Sequence, residues 1–315
     1  MANVLTAKQD RITFELHNAL SNAPSKVERA GFLIRSQQQT LRMTTQRLEH
    51  ALSNFSGSAP TATDVNADAL THTSQARAGR VTFTREEIQD AVQADGGNSL
   101  IDGAVSALAN QFRKDHERAF FEGLNGLFGT AHPLQSVLSG NPNYFETNLT
   151  LVGVGPGGAD VVVNNLLTSP LSESSFYQAR QRMMEQTNWS GDPLDIEGPY
   201  VLVVSPKNER LAKQLVNPGY MSDQASGAPQ GAPNVGGPEA MVLVTTLLSD
   251  DDDWFLIYRG LDDKGFGAPV GLWEKTAPIV QVREDSLFIT EIEAYSDRGF
   301  VYAPDGLGII ASNVA

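Results

Sequence analysis

One long helical pattern constrains this chain more than any other feature of its sequence. From Asn98 to Glu122 the apolar residues step by three, four or seven positions, as on one face of an α-helix: Ile101, Val105, Leu108, Phe112 and Ala119. Gly96-Gly97 and the pair Ser99 and Asp102 indicate a helix start, and we expect the helix to end near Gly123. At the usual rise per residue it would span roughly 37 Å, which suits a structural strut.

The segments before this helix are weaker. Two sparse apolar stripes predict short amphipathic helices that need a surface to lie against, formed by Leu5, Ile12, Leu16 and Leu20, and by Leu41, Leu48, Leu52 and Phe55. Residues 56–80 are rich in Ser, Thr, Ala and Gly and have too little apolar surface to become ordered alone. Because Arg80–Thr84 alternates like a strand, we predict a hairpin arm here.

The second half mixes helices and strands without regular alternation, which favours an α+β fold over a doubly wound sheet. We predict a helix from Ser169-Pro170 to Trp189, another with Leu211, Leu215 and Val216, and strands at Tyr200–Val204, Met241–Leu248, Trp254–Tyr258, Ile279–Val282, Leu287–Ile289, Phe300–Tyr302 and Leu307–Ala311. Residues 217–239 predict a long loop with five Gly and four Pro, typical of an interface role or of mobility.

The charge is unevenly distributed. The net charge of -14 arises entirely in residues 119–315, which hold 10 Lys+Arg and 24 Asp+Glu, whereas residues 1–118 hold 13 of each. A broad basic surface for nucleic acid is therefore not expected on the body of the protein, although residues 1–60 are slightly basic. With no cysteine there is neither a disulfide nor a thiolate metal site. We expect no secretory signal and no membrane span.

A glycine-rich segment could suggest a nucleotide site. Gly153-Val-Gly155-Pro-Gly157-Gly158 satisfies the G-x-G-x-x-G spacing, whose glycines bring backbone amides close to a pyrophosphate at a helix start. Here Pro156 removes one amide, and the β-branched residues that follow favour a strand. We interpret the segment as a glycine turn, with nucleotide binding as the alternative.

Other patterns that carry chemistry are incomplete. Asp250–Asp253 lacks the spaced ligands of a calcium loop and is interpreted as a solvated turn. The five histidines are scattered: His17, His50, His72, His116 and His132. No Walker loop or G-x-S-x-G elbow is present. We therefore predict no catalytic, cofactor-binding or metal-binding residues.

The order of these elements resembles the major head subunit of Mu-like phages, the gpT family of major capsid proteins. The resemblance runs from about residue 85 to 310 and is strongest in three segments: Gly126–Ser136, Ser169–Val216 and Asn234–Gly260. None of them is a catalytic fingerprint.

The resemblance implies the major capsid protein fold of tailed phages, which encapsulin shells share. On this basis residues 1–55 would be an amino-terminal arm and 56–84 an extended E-loop. Residues 85–145 and 276–315 would form a P-domain with the spine helix at about 98–122, and 146–275 an A-domain.

The function that the resemblance implies is that of a capsid subunit that self-assembles into pentamers and hexamers of an icosahedral shell around double-stranded DNA. Its partners would be further copies of the chain, a scaffold protein, a portal, a decoration protein, and packaged DNA bound without sequence specificity on the inner face. The shell would belong to the virion and be assembled in the host cytoplasm.

Three alternatives stay open: an encapsulin-like compartment with an enzyme as cargo, a nucleotide-dependent enzyme that uses Gly153–Gly158, and a phage tail or adhesion protein. Some capsids of this fold join their subunits by a Lys–Asn isopeptide bond from the E-loop. Because this sequence has no lysine between Lys26 and Lys114, we predict no such cross-link here.

Overall fold

The fold is given by a computed structural model. It describes residues 26–38, 40–48, 65–84, 86–87, 89–90, 93, 98–134, 138–140, 142–152, 160–187, 193–216, 240–260, 268–284 and 290–314. The helices are α1 (Lys26–Ala30), α2 (Asn98–Gly126), α3 (Glu173–Met184) and α4 (Glu209–Val216).

The strands are shared among four sheets. Those of the first half are β1 (Phe32–Arg35), β2 (Leu41–Leu48), β3 (Val65–His72), β4 (Gln75–Phe83), β5 (Leu149–Leu151), β6 (Val161–Val163) and β7 (Leu166–Leu167). The remaining strands are β8 (Tyr200–Val204), β9 (Ala240–Val244), β10 (Trp254–Tyr258), β11 (Val270–Glu284), β12 (Thr290–Tyr302) and β13 (Ile309–Ser312). The sheet orders are β1-β11-β12-β4, β7-β13-β10-β8-β9, β2-β3 and β5-β6. Helices and strands do not alternate regularly along the chain, and this lack of alternation is typical of an α+β fold.

The long helix α2 lies on one face of the four-stranded sheet. Its apolar stripe is buried against β4 and β12, and this core contains Phe83, Ala104, Val105, Leu108, Ala109, Phe112, Ile292 and Ala294. The helix is confirmed, but it continues to Gly126, so its 29 residues span roughly 43 Å. The predicted end near Gly123 is therefore wrong, and this glycine lies inside the helix against Phe300, where a Cβ would lie 2.6 Å from Cδ1.

The five-stranded sheet is covered by the chain on both faces. One face packs with α2 in a core that includes Phe120, Phe121, Leu124, Val201, Val203, Phe255 and Ile257. The other face packs against α3 and α4 and includes Phe176, Met183, Tyr200, Leu202, Ala212, Trp254 and Leu256. The predicted buried strand at Tyr200–Val204 is confirmed, and each of its five residues is buried. Continuous apolar character fits a strand buried on both faces.

The amino-terminal predictions need two corrections. Leu41–Leu48 is strand β2 and not a helix, since it pairs residue by residue with β3. The seven-residue spacing of Leu41 and Leu48 fits a helix, but the β-branched Thr44 and Thr45 favour a strand. Residues 1–55 are also not all a free arm: Val27 and Ala30 of α1 lie in the core, and β1 pairs in parallel with β11. The helix predicted over residues 4–20 lies outside the described residues.

Several strands of the carboxyl-terminal half pair with partners that are distant in the chain. β9 and β10 do not pair with each other but lie on either side of β8. Strand β13 pairs with β10, so the chain returns to the five-stranded sheet after β12 instead of staying beside β11. Helix α3 begins at Glu173, three residues later than expected, because Ser172 caps it and Ser175 completes a capping box. Residues 217–239 and 285–289 lie outside the described residues.

Candidate assembly surface

The β2–β3 hairpin stands apart from the two large sheets. Its strands form an antiparallel ladder of eight pairs, from Leu41 opposite His72 to Leu48 opposite Val65. At the usual rise per residue the ladder is about 26 Å long. Within the described residues these strands form ladder pairs only with each other. Two-stranded hairpins are marginally stable alone in water, so this one requires a surface to lie on.

The base of the hairpin is fixed to the four-stranded sheet. Leu41 packs with Trp273 and Val301, and the indole Nε1 of Trp273 donates to the carbonyl of Ser36 at 2.9 Å. The Nε2 atom of His72 lies 3.2 Å from the carbonyl oxygen of Tyr302. Burial lowers the pKa of His72, so its ring is neutral at pH 7. The hairpin therefore leaves the body from a fixed root.

Charged side chains connect α2 to the strands near this root. Glu274 of β11 accepts from Arg35 at 3.0 Å and lies 4.0 Å from His116 of α2. The guanidinium of Arg298 is buried and pairs with Asp115, also on α2. Burial lowers the pKa of Arg298 to about 10, and nearby Arg77 contributes in the same direction, so Arg298 stays charged at pH 7. His116 and Asp115 thus connect α2 to the sheet, while Arg35 and Glu274 connect β1 to β11.

The glycine-rich segment Gly153–Gly158 lies outside the described residues, but its flanks are informative. Before it stands β5 and after it β6, and the two pair with each other in an antiparallel hairpin. A dinucleotide fingerprint requires a helix start directly after its glycines. Because a strand and not a helix is the next described element after the segment, the dinucleotide-binding pattern is incomplete here.

The acidic turn Asp250–Asp253 is fixed by hydrogen bonds to other parts of the chain. Asp252 accepts from Lys207 Nζ at 2.7 Å, and Asp253 accepts from the backbone N–H of Val314 at 3.2 Å. Asp253 is buried, and this burial raises its pKa. The prediction of a solvated turn is therefore wrong for Asp253, whereas Asp250 and Asp251 are exposed. In the described part of the chain, no cluster of three or more His, Asp or Glu side chains could hold a metal ion.

The histidines are dispersed in the structure as well. His132 is buried, stacks on Tyr144 at a ring distance of 5.6 Å, and accepts from the N–H of Leu134 at Nδ1. Burial lowers its pKa to about 4. His116 is about 4 Å from a carboxylate, and its pKa is lowered by burial although Glu274 opposes this. His17 and His50 lie outside the described residues.

The sequence predicts a hairpin arm within residues 56–84, but the hairpin in the structure pairs Leu41–Leu48 with Val65–His72, and Gln75–Phe83 belongs to the four-stranded sheet instead. A signal for β2 is present in Thr44 and Thr45, but residues 49–64 separate the two strands, so no short turn determines their pairing. None of the helices described is both long enough and apolar enough to cross a bilayer.

Comparisons with known proteins agree on one architecture. The family model of the phage capsid protein matches residues 55–311. A virus-like particle from Pyrococcus furiosus is similar at 11% identity and a TM-score of 0.51, covering 97% of this chain and 99% of the other. The capsid of a native GTA particle has 11% identity, a TM-score of 0.55, and 93% and 91% coverage. The mature capsid of bacteriophage PhiM1 has 13% identity, a TM-score of 0.52, and 91% and 85% coverage.

A search of curated proteins found no significant match. At such low identities the likeness to solved structures establishes the fold, and the fold class predicted from the sequence is confirmed.

Proposed function

The chain belongs to the phage capsid protein family, and we propose that it is the major head subunit of a tailed bacteriophage, which assembles into pentamers and hexamers of an icosahedral shell. The shell would enclose double-stranded DNA. The function is structural: many modest contacts between identical subunits, repeated around the shell, add up to a durable particle. No catalytic activity is proposed for it.

The isolated hairpin is the observation that carries this proposal. Its eight residue pairs are rooted at Leu41 and His72 but pair with no further strand in the described part of the chain. Its two outer edges therefore offer backbone donors and acceptors that a neighbouring subunit can satisfy. A chain that works alone would gain nothing from such an arm, whereas a shell subunit gains an intersubunit contact.

We further propose how the parts of a capsid subunit map onto the chain. We assign the E-loop to the β2–β3 hairpin and the P-domain to α2 with the four-stranded sheet. The A-domain corresponds to the five-stranded sheet with α3 and α4. In this assignment the amino-terminal arm is limited to residues before Lys26, because α1 and β1 are part of the body.

A closer kinship with the head subunits of Mu-like phages is proposed on the segments Gly126–Ser136, Ser169–Val216 and Asn234–Gly260. This proposed kinship implies a scaffold protein, a portal and packaged DNA as partners, and assembly in the host cytoplasm. It also retains the expectation of no E-loop cross-link, since the hairpin strands contain no lysine. Boiled particles should release monomers near 34.0 kDa, and a covalent ladder would contradict this.

Assembly can be tested by disrupting the hairpin ladder at Thr44, which lies opposite Ala69. The double variant Thr44→Pro/Ala69→Pro removes two backbone N–H groups from the ladder. The control Thr44→Ala/Ala69→Thr exchanges the side chains and keeps both N–H groups. Electron microscopy should show closed shells for the wild type and the control, and none for the proline variant.

Thermal unfolding of the unassembled subunits should be nearly the same in all three proteins. A wild-type chain that stays monomeric under every condition would overturn the proposal. Tubes or fibres in place of shells would favour a tail or adhesion protein.

An encapsulin-like compartment is the second candidate, favoured by the match to the Pyrococcus furiosus virus-like particle over 97% of this chain. The contents of the purified particle distinguish a phage capsid from such a compartment. Particles purified from the native source should contain double-stranded DNA if the chain is a phage capsid subunit. A single protein as cargo, with no nucleic acid, would favour the compartment.

A further inference from the structure

A groove with a basic rim runs between α2 and strand β4. Its volume is about 470 Å³, and residues of both elements line it: Arg77, Ala78, Gly79, Ala107, Asn110, Gln111, Phe112, Lys114, Asp115 and Arg118. Because β4 is the last strand of the four-stranded sheet and α2 crosses the face of that sheet, the groove follows the margin of both.

The charges of this groove are predominantly positive. Arg77, Lys114 and Arg118 are exposed, and the one carboxylate in the lining, Asp115, pairs with the buried Arg298. Arg77 donates to Gln75 at 3.1 Å, and Arg118 lies 4.0 Å from Glu122. Within the described residues Lys114 has no ion-pair partner. None of these three cationic side chains is needed for a buried contact, so the rim can use them to bind a ligand.

The backbone along the groove is also open. β4 pairs with β12 over nine residues, from Phe83 opposite Thr290 to Gln75 opposite Arg298. On its other side β4 pairs with no strand of the described chain, so alternate N–H and C=O groups point outward. The side-chain amides of Asn110 and Gln111 add donors and acceptors across the groove.

We propose that this groove binds an extended, carboxylate-bearing segment of a second copy of the chain, an inference that rests on the proposed shell function. Two features fit a polypeptide. An open strand edge can hydrogen-bond to an extended backbone. The chain itself supplies the complementary charge, since residues 119–315 hold 24 acidic and 10 basic groups.

Packaged DNA is the competing ligand for a cationic surface, and the groove suits it less well. The lining mixes charges, amides and the ring of Phe112 within a narrow volume, whereas a duplex is contacted by cations spread along its backbone. An extended polypeptide can pair its carboxylates with Arg77 and Lys114 while its backbone meets the open edge of β4.

Charge reversal provides the test. In Arg77→Glu/Lys114→Glu the rim becomes acidic, and we expect the subunit concentration needed for assembly to rise at least about tenfold, with unchanged thermal unfolding of the free subunit. The control Arg210→Glu reverses an exposed charge on α4, which packs on the five-stranded sheet and not on the groove or the open face of the four-stranded sheet. It should assemble at close to the wild-type concentration.

Each outcome is decisive. If the wild type forms no shells, the proposed function fails. If the wild type, the control and the groove variant assemble equally well, only the groove proposal fails. Normal assembly with reduced DNA content would assign the groove to nucleic acid instead.

Loss of folding in the double variant is covered by a second measurement. A photo-reactive amino acid at the exposed position 110 should cross-link to another copy within assembled shells, at a peptide that contains Asp or Glu. Cross-links only within one subunit, or only to DNA, would overturn the proposal.

Discussion

The two large sheets of this subunit differ in how completely the chain covers them. The five-stranded sheet has apolar packing on both faces, from α2 on one side and from α3 and α4 on the other. The four-stranded sheet has α2 on one face, while its other face exposes Tyr295 and its margin ends in the open strand β4. The difference indicates a division of labour. The five-stranded sheet has both faces buried within the subunit, and the four-stranded sheet with its hairpin carries the surfaces that we propose contact neighbours.

The largest effect should follow from damage to the five-stranded sheet, which is packed on both faces and is called the self-contained sheet below. Phe255 is fully buried, and its ring lies 5.4 Å from that of Phe128 and 6.1 Å from that of Phe145. Phe255→Ala should lower the free energy of unfolding by about 3–5 kcal/mol, because it leaves a cavity in a core with no solvent access. Urea denaturation measures this loss.

The matched variant is Tyr295→Ala, which removes an aromatic ring that is 40% exposed on the open face. It should cost the free subunit less than about 1 kcal/mol. Equal losses in the two variants would contradict the division between the sheets.

A second prediction concerns the junction of the two sheets, where His132 stacks on Tyr144 and the Tyr144 ring meets that of Tyr302 at 5.0 Å. The pKa of His132 is lowered to about 4 in the folded state, whereas it lies near about 6.5 in the unfolded chain. Between these values the unfolded state binds more protons, so stability falls as the pH falls from about 6.5 toward 4. The loss should be on the order of 3 kcal/mol.

Urea midpoints at pH 7 and pH 4.5 measure this loss. The variant His132→Gln keeps an acceptor for the N–H of Leu134 but cannot take up a proton, so its stability should depend less on pH. His72 and His116 also have lowered pKa values and add to the slope in both proteins. Identical slopes would mean that His132 is not the group responsible.

The third prediction tests how α2 packs on the four-stranded sheet. Gly123→Val would place its Cβ 2.6 Å from Phe300 Cδ1, so we expect a loss of about 1–3 kcal/mol in the free energy of unfolding. Gly103 is the control on the same helix, because a Cβ there would meet nothing within 4 Å. Gly103→Ala should raise stability by up to about 1 kcal/mol, since alanine favours the helix. Opposite signs are the result expected from thermal unfolding.

Much of the self-contained part could be predicted from the sequence, because its signals are local. The period of α2 and the apolar run Tyr200–Val204 determine a helix and a buried strand without reference to the rest of the chain. The assembly features could not be predicted in the same way. Strand β2 has an ambiguous spacing, and the choice is decided by its pairing with β3. The groove unites Arg77 with Lys114, and only the tertiary fold brings them together.

The order of strands was equally hidden from sequence reasoning. β13 joins β10 across a long separation in the chain, and the ion pair of Arg298 with Asp115 likewise connects distant segments. A hydrophobic pattern identifies a strand but not the strand with which it pairs. The same alternation of apolar and polar residues suits several positions in a sheet.

The smallest effect concerns the helix cap on the self-contained sheet. The side chain of Ser172 accepts from the backbone N–H of Ser175 at 3.1 Å and so satisfies one of the free amides at the start of α3. Ser172→Ala should cost about 1 kcal/mol in the free energy of unfolding. Ser174→Ala is the control, because Ser174 is exposed in the same turn and takes no part in the cap.

Ser172→Ala is informative because its effect on stability can be compared with its effect on assembly. If α3 serves only the self-contained sheet, Ser172→Ala should unfold at a lower temperature yet form shells of normal size at the wild-type concentration. The groove and hairpin variants should show the reverse, with unchanged unfolding and impaired shells. An assembly defect in Ser172→Ala would mean that α3 also contributes to a contact between subunits, and the division between the two sheets would then have to be redrawn around that helix.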